Sequence, residues 1–243
     1  MLATAATPII ASTSNPTLTD QQKRDYASAF RLLEVVEVAT EGKETVDPQT
    51  MLNIIDKHCW ADNWMMHMGD RKGDVLRKVM QEHKPKRVLE LGTYCGYSGT
   101  LIAAELHKLN PDQPVQLVTI DPSPLQYAVA AKIIAKAGLA SSVIFMNKYS
   151  HEAIANLPTD EKFDLVFIDH EKTRYLPDLK AIVDRGLVKS GGVVVADNVL
   201  IFDSREYLEY VKTSGKFVKN ELIKGTVEYS DETEDAMDIS VLA

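Results

Sequence analysis

From Lys86 onward the chain alternates short, β-rich apolar runs with stretches of helix length, and this alternation restricts the fold more than any other feature. The predicted strands are Arg87–Leu91, Val115–Ile120, Ser142–Met146, Phe163–Ile168 and Gly192–Ala196. Helices fit between or after them at Ser98–Leu109, Pro124–Ala137, His151–Leu157 and Leu176–Leu187. Nearly continuous apolar strands joined by helix-length crossovers require a parallel sheet covered on both faces. Beyond Asn198 a helix at Ser204–Thr213 precedes two further strands, Lys216–Lys224 and Ala236–Leu242. No helix separates these two, so they are expected to pair as an antiparallel hairpin at a sheet edge. The acidic stretch SDETEDAMD between them reads as a solvated loop. The expected fold class is α/β: a doubly wound, mostly parallel seven-stranded sheet with an antiparallel edge hairpin.

Extra helices precede the sheet. Asp20 to about Glu41 places Tyr26, Phe30, Leu33 and Val36 on one stripe. Asp47-Pro48 sets an N-cap before a proline at the first helical position, opening a helix toward Cys59. A third helix, Gly73–His83, aligns Val75, Leu76 and Val79. Residues 1–18 read as a flexible Ala/Ser/Thr/Pro tail without the charge pattern of a targeting segment, and residues 19–243 as one domain.

A net charge of −8 argues against a nucleic-acid partner, which calls for a basic face. No apolar run approaches the roughly 18 residues that cross a bilayer, so no membrane partner is expected. Cys59 and Cys95 form neither a metal-type spacing nor a disulfide framework, which suits a reducing, cytoplasmic setting.

Carboxylates collect where the strands end: Glu90, Asp121, Asp169 and Asp197, the last followed by Asn198. Open α/β sheets bind ligands outside the carboxyl ends of their strands. Capping of the following helices is the competing explanation for any one of them, and is weaker for the set, since Glu90 lies early and no helix directly follows Asp197. Asp121 suits a ribose, whose two hydroxyls a carboxylate accepts. The turn VLELGTYCGYSG spaces its glycines as G-x-x-x-G-x-x-G rather than G-x-G-x-x-G. Gly92 and Gly96 then allow close backbone approach to a ligand without a tight nest for phosphates. Glu90, two residues before Gly92, repels a pyrophosphate and suits an ammonium or sulfonium group. S-adenosylmethionine carries ribose, ammonium and sulfonium and no phosphate; a nicotinamide dinucleotide is disfavoured.

Asp169, Asp197 and Asn198 offer three hard oxygens from two strand ends, a set that favours Mg²⁺ over Zn²⁺. Residues 197 and 198 can share an ion only if the strand has already ended, because successive strand side chains face opposite ways. A hydrogen-bonded Asp/Asn turn without an ion is the alternative.

The segments NWMMHMGDRKG, VLELGTYCGYSG, FIDHEKTRYLPD and ADNV, in this order, resemble the catechol O-methyltransferase family, over roughly Cys59 to the C-terminus. The resemblance implies a Rossmann-like methyltransferase domain that transfers a methyl group from S-adenosylmethionine to one hydroxyl of a catechol-type small molecule. It implies Asp169, Asp197 and Asn198 as Mg²⁺ ligands and Lys172 as the general base. Glu228 matches the acidic residue that hydrogen-bonds the second hydroxyl, and Trp64 an aromatic wall. The acceptor site is thus Trp64, Lys172, Asn198 and Glu228. Met68, Glu90, Gly92, Tyr94, Ser98, Asp121, Ser150, His151, Asp169 and His170 fall on the donor site. Three positions depart from the family pattern: Glu171 replaces a tryptophan, Phe202 a rim proline, and Asp121 a glutamate. The first two touch the wall that grips the ring and bear on acceptor range. A larger phenolic or caffeoyl-type ester as acceptor is the runner-up, followed by a non-catalytic donor-binding module. A monomer or homodimer is expected.

Overall fold

The computed structural model describes residues 18–61, 63–201 and 204–243. The expected tail falls outside the described residues except for Leu18, and so does Phe202. Three helices lead the chain: α1 (Asp20–Ala39), α2 (Pro48–Trp60) and α3 (Gly69–His83). A capping box between Thr19 and Gln22 starts α1, and the Asp47 side chain accepts from the Thr50 N–H to start α2 with Pro48 in its first turn. Helix α3 begins at Gly69, earlier than the apolar stripe suggested, because its first turn buries Gly69, Lys72 and Gly73 rather than apolar side chains.

The sheet follows as β1 (Arg87–Leu91), β2 (Gln116–Ile120), β3 (Val143–Met146), β4 (Phe163–Ile168), β5 (Val188–Ala196), β6 (Phe217–Thr226) and β7 (Glu234–Leu242). The intervening helices are α4 (Tyr97–Leu109), α5 (Pro124–Lys136), α6 (Ser150–Asn156), α7 (Tyr175–Asp184) and α8 (Arg205–Thr213). Spatial order is β3-β2-β1-β4-β5-β7-β6. The first five strands are parallel, and β7 inserts antiparallel between β5 and β6. This is the Rossmann-like doubly wound sheet with its edge hairpin.

Each strand feeds two cores. Val88 packs with the α1–α5 side, while Leu89 and Leu91 pack with the α6–α8 side. Two boundaries differ from expectation for backbone reasons. Helix α7 stops at Asp184, because Gly186 takes φ +63 and closes a Schellman motif through Gly186 N–H to Val183 O and Leu187 N–H to Ile182 O. Strand β5 starts at Val188, not Gly192: Val188 pairs with Phe163, then the register jumps to Leu165–Val193 across the Ser190–Gly192 irregularity.

The first part of the acidic stretch, residues 231–233, is an exposed loop as expected, but the chain enters β7 at Glu234. Asp235 and Asp238 belong to β7 and are fully buried. Strand order reverses between β1, which leads outward to β2 and β3, and β4, which leads to β5. The crevice at the carboxyl ends of β1 and β4 is therefore the expected ligand position.

Candidate functional site

That crevice is a cavity of about 500 Å³, within the usual range for small-molecule sites. Of the residues expected at the donor, Gly92, Tyr94, Asp121, Asp169 and His170 line it. Of those expected at the acceptor, Trp64, Lys172, Asn198 and Glu228 line it. Met68, Ser98 and Ser150 are buried outside its wall, and His151 is exposed on α6. Glu90 is fully buried behind the wall, where it accepts from the Thr119 hydroxyl of the paired β2 position and leaves Oε1 without a partner. Burial pushes its carboxyl up to about 7, against the hydrogen bonds of Ser98 and Thr119.

Asp121 ties the two turns of the crevice together. Its carboxylate accepts the Tyr94 N–H at 3.0 Å and the Ser123 N–H at 2.8 Å, and burial raises its pKa against these bonds. His170 gives one ring nitrogen, Nε2, to Asp178 at 2.9 Å and keeps Nδ1 buried without a partner. The glycines do something other than open the turn to a ligand. A Cβ on Gly92 meets the Asp169 carbonyl oxygen at 2.3 Å, and one on Gly96 meets Ala130 at 3.0 Å. Both conformations are left-handed, with φ +99 and +86. These positions exclude side chains because protein backbone and helix already fill the space.

The end of the cavity expected to take the acceptor is built around a lysine. Lys172 opens a short 3₁₀ turn after β4, and its Nζ donates to Asp169 Oδ1 (3.1 Å), Asn198 Oδ1 (3.2 Å) and the Tyr175 hydroxyl (2.5 Å). Tyr175 in turn donates to the Asp197 carbonyl at 3.0 Å, and burial keeps its phenol well above the ordinary value. Strand β5 has ended at Ala196, and Asn198 takes φ +52. That left-handed residue breaks the strand alternation. Asp197 Oδ1 accepts the Asn198 N–H at 2.8 Å, while Oδ2 is buried with no partner. Burial, reinforced by Asp169 and opposed by Lys72 and Lys172, pushes the Asp197 carboxyl up to about 7.

Two residues absent from the sequence reading complete the cluster. Lys72, on the buried face of α3, lies 2.9 Å from Asp197, 3.2 Å from Glu228 and 2.7 Å from Asp235. Burial opposes its charge, but these carboxylates overcome it and hold the ammonium above the ordinary lysine range. Burial likewise opposes ionisation of Asp235, and the Lys72 bond reverses this and keeps its carboxyl below the usual value. Glu228 is positioned further by its neighbours: its carbonyl accepts the Trp64 indole N–H at 3.2 Å, and Tyr229 (φ +53) donates to Asp56 at 3.0 Å. Trp64 is half exposed at the mouth, facing a rim that also carries Glu171, whose carboxylate accepts the Thr173 hydroxyl at 2.6 Å.

Among the described residues no group of three or more His, Cys, Asp or Glu side chains is set to hold a metal ion. The trio expected to do so has two carboxylates and one amide. Asp169 Oδ1 and Asn198 Oδ1 converge on one atom, Lys172 Nζ, and Asp197 Oδ2 is buried without a partner.

A doubly wound sheet, a ligand crevice at its switch point and carboxylates at the ends of β1, β2, β4 and β5 mark a class I methyltransferase architecture. The O-methyltransferase family model matches residues 43–233, and the chain belongs to that family as a catechol O-methyltransferase-like, S-adenosylmethionine-dependent enzyme. It is 40% identical over 215 residues to catechol O-methyltransferase B of Danio rerio, covering 87% of this chain and 77% of that protein. It is 37% identical over 174 residues to the Mus musculus catechol O-methyltransferase, covering 70% of this chain and 64% of that protein. The chain thus matches just under two thirds of the length of the mouse protein. The crystal structure of an O-methyltransferase from Bacillus cereus superposes with a TM-score of 0.68 at 19% identity, over 88% of this chain and 100% of that one, a likeness of fold.

Proposed function

We propose that the chain transfers the methyl group of S-adenosylmethionine to one hydroxyl of a catechol-type small molecule with the aid of Mg²⁺, and that Lys172 is the general base. The observation that carries this reading is the meeting of Asp169 and Asn198 oxygens on Lys172 Nζ, together with a buried oxygen of the adjacent residue, Asp197, that has no partner. Two hard oxygens that meet on one side-chain nitrogen, with an unpartnered third on the adjacent residue, are a donor set that suits Mg²⁺. Asp169, Asp197 and Asn198 would hold it, and it would stabilise a phenolate oxygen and fix its place.

The chain's own groups account for the rest. Lys172 takes the proton from the reacting hydroxyl. Glu228 accepts the hydrogen bond of the second hydroxyl, and Trp64 walls the ring. Asp121 receives the ribose hydroxyls, His170 Nδ1 offers an acceptor to the donor's base, and Glu90 supplies negative charge toward the cationic end. Holding both reactants near attack distance lowers the barrier by about 7–11 kcal/mol.

An open groove of about 870 Å³ between α7 and α8 meets the cavity at Lys172 and bears on the larger-ester alternative. Lys172, Lys180 and Arg205 in it stand against Glu206 and Glu209, an excess of one positive side chain, so it offers no concentrated positive charge for a phosphate-bearing tail. A single-ring acceptor fits better. Among the described residues no helix is long and apolar enough to cross a membrane. A cytoplasmic monomer or homodimer without nucleic-acid or membrane partners is the proposed setting.

The test incubates the protein with donor, Mg²⁺ and a panel of catechols, read by mass spectrometry. A single added methyl that disappears on chelation is expected. Unchanged methylation in excess chelator overturns the metal role, and no methylated catechol overturns the acceptor.

A further inference from the structure

Lys72 and Asp235 stand behind the site, one on α3 and one on β7, and neither lines the catalytic cavity. Both are almost dry, at 5% and 0% exposed. A buried ion pair contributes little net stability compared with apolar side chains of the same size, so its position asks for another explanation.

The hydrogen bonds supply one. The Asn198 amide nitrogen donates to Asp235 Oδ2 at 2.8 Å and to Glu228 Oε2 at 3.3 Å. Ionised carboxylates only accept, so the nitrogen must face them and the amide oxygen must face the other way, toward Lys172 Nζ at 3.2 Å. Asp235 is itself anchored: its Oδ1 accepts the Leu200 N–H at 3.3 Å and its Oδ2 meets Lys72 at 2.7 Å. Lys72 acts on Asp197 in the same manner. Its Nζ and the Asn198 N–H both engage Asp197 Oδ1, at 2.9 and 2.8 Å, which leaves Oδ2 the oxygen without a partner.

We infer that Lys72 and Asp235 are positioning residues that orient the oxygens of Asp197 and Asn198 toward the divalent-cation position. This rests on the metal reading proposed above. Groups that orient metal ligands from behind typically change metal affinity by about 10–100-fold when altered.

Mn²⁺ is the probe, with free ion counted by electron paramagnetic resonance in the absence of acceptor. Asp235→Asn is expected to weaken Mn²⁺ binding at least about 10-fold while calorimetric affinity for S-adenosylmethionine stays within about twofold. Lys72→Gln is expected to weaken Mn²⁺ in the same way. Adding Asn198→Asp to the Asp235→Asn variant returns the lost charge, and an aspartate presents an oxygen whichever way it turns, so Mn²⁺ binding should recover. Unaltered Mn²⁺ affinity in both single variants overturns the inference. A double variant that fails to recover shows a merely structural role and also overturns it. Wild-type protein that binds no Mn²⁺ overturns the metal reading beneath it, an outcome distinct from a binding wild type with unaffected variants.

Discussion

Lys172 Nζ lies 3.1 Å from Asp169 Oδ1, three residues earlier in the chain, so one turn at the end of β4 delivers both the proposed base and a proposed cation ligand. Lys172→Met keeps the length of the side chain and removes the amine. Turnover of a catechol should fall by about 10²–10⁴-fold, while calorimetric affinity for S-adenosylmethionine changes little. A variant with wild-type turnover removes Lys172 from the chemistry.

The proposed donor role of Glu90 predicts a link between donor binding and pH. Burial places its carboxyl near 7 in the free protein, so a substantial fraction is protonated at neutrality. A cationic donor favours the ionised form, and binding must therefore release a proton. Donor affinity is expected to rise with pH up to about 7 and to level above it, with a slope of at most about tenfold per pH unit. Glu90→Gln should bind more weakly and without that slope. Calorimetry in two buffers of different ionisation enthalpy measures the released proton directly; equal slopes in wild type and variant remove Glu90 from donor binding.

Asp56 gives a pH effect on stability. It accepts hydrogen bonds from Tyr97 and Tyr229, both at 3.0 Å, and joins α2, α4 and the loop that carries Glu228. Burial raises its carboxyl from 3.8 to about 6, against those bonds. Between these two values the folded protein holds more protons than the unfolded one, so stability from this group falls as pH rises from about 4 to about 6 and is flat above. Asp56→Asn should gain on wild type in melting temperature across that window, with the difference constant at higher pH. A difference independent of pH would contradict it.

The carboxyl-end acids and the glycine spacing were legible because each sits at a strand terminus, which the periodicity marks. Asp169, Asp121, Lys172 and Asn198 line the cavity, whereas Glu90 and Asp197 are buried outside its wall. Lys72 was not legible. It precedes the apolar stripe of α3, and its partner Asp235 lies 163 residues away in a run of acids that composition alone assigns to solvent. Only the insertion of β7 between β5 and β6 buries that carboxylate beside Asn198. The role of Gly92 was half legible: the turn was recognised, but a sequence does not show which backbone crosses it.

That crossing gives the last prediction. The Gly92 N–H donates to Ile120 O at 2.9 Å, and the neighbouring Leu91 carbonyl accepts the Asp169 N–H at 2.8 Å. An alanine methyl at 92 falls 2.3 Å from the Asp169 carbonyl oxygen and 2.7 Å from its carbon. Relief requires parting β1 from β4 or giving up the φ of +99. Gly92→Ala should therefore cost more than about 2 kcal/mol of stability, or roughly 4 °C or more in melting temperature for a domain of this size. Gly186→Ala is the control: its φ is +63 and a Cβ meets nothing within 4 Å, so it should lose only the conformational strain of about 1–2 kcal/mol. If instead the glycine served only to admit a ligand, Gly92→Ala would weaken donor binding and leave the melting temperature unchanged. The two measurements together separate packing against Asp169 from access to the crevice.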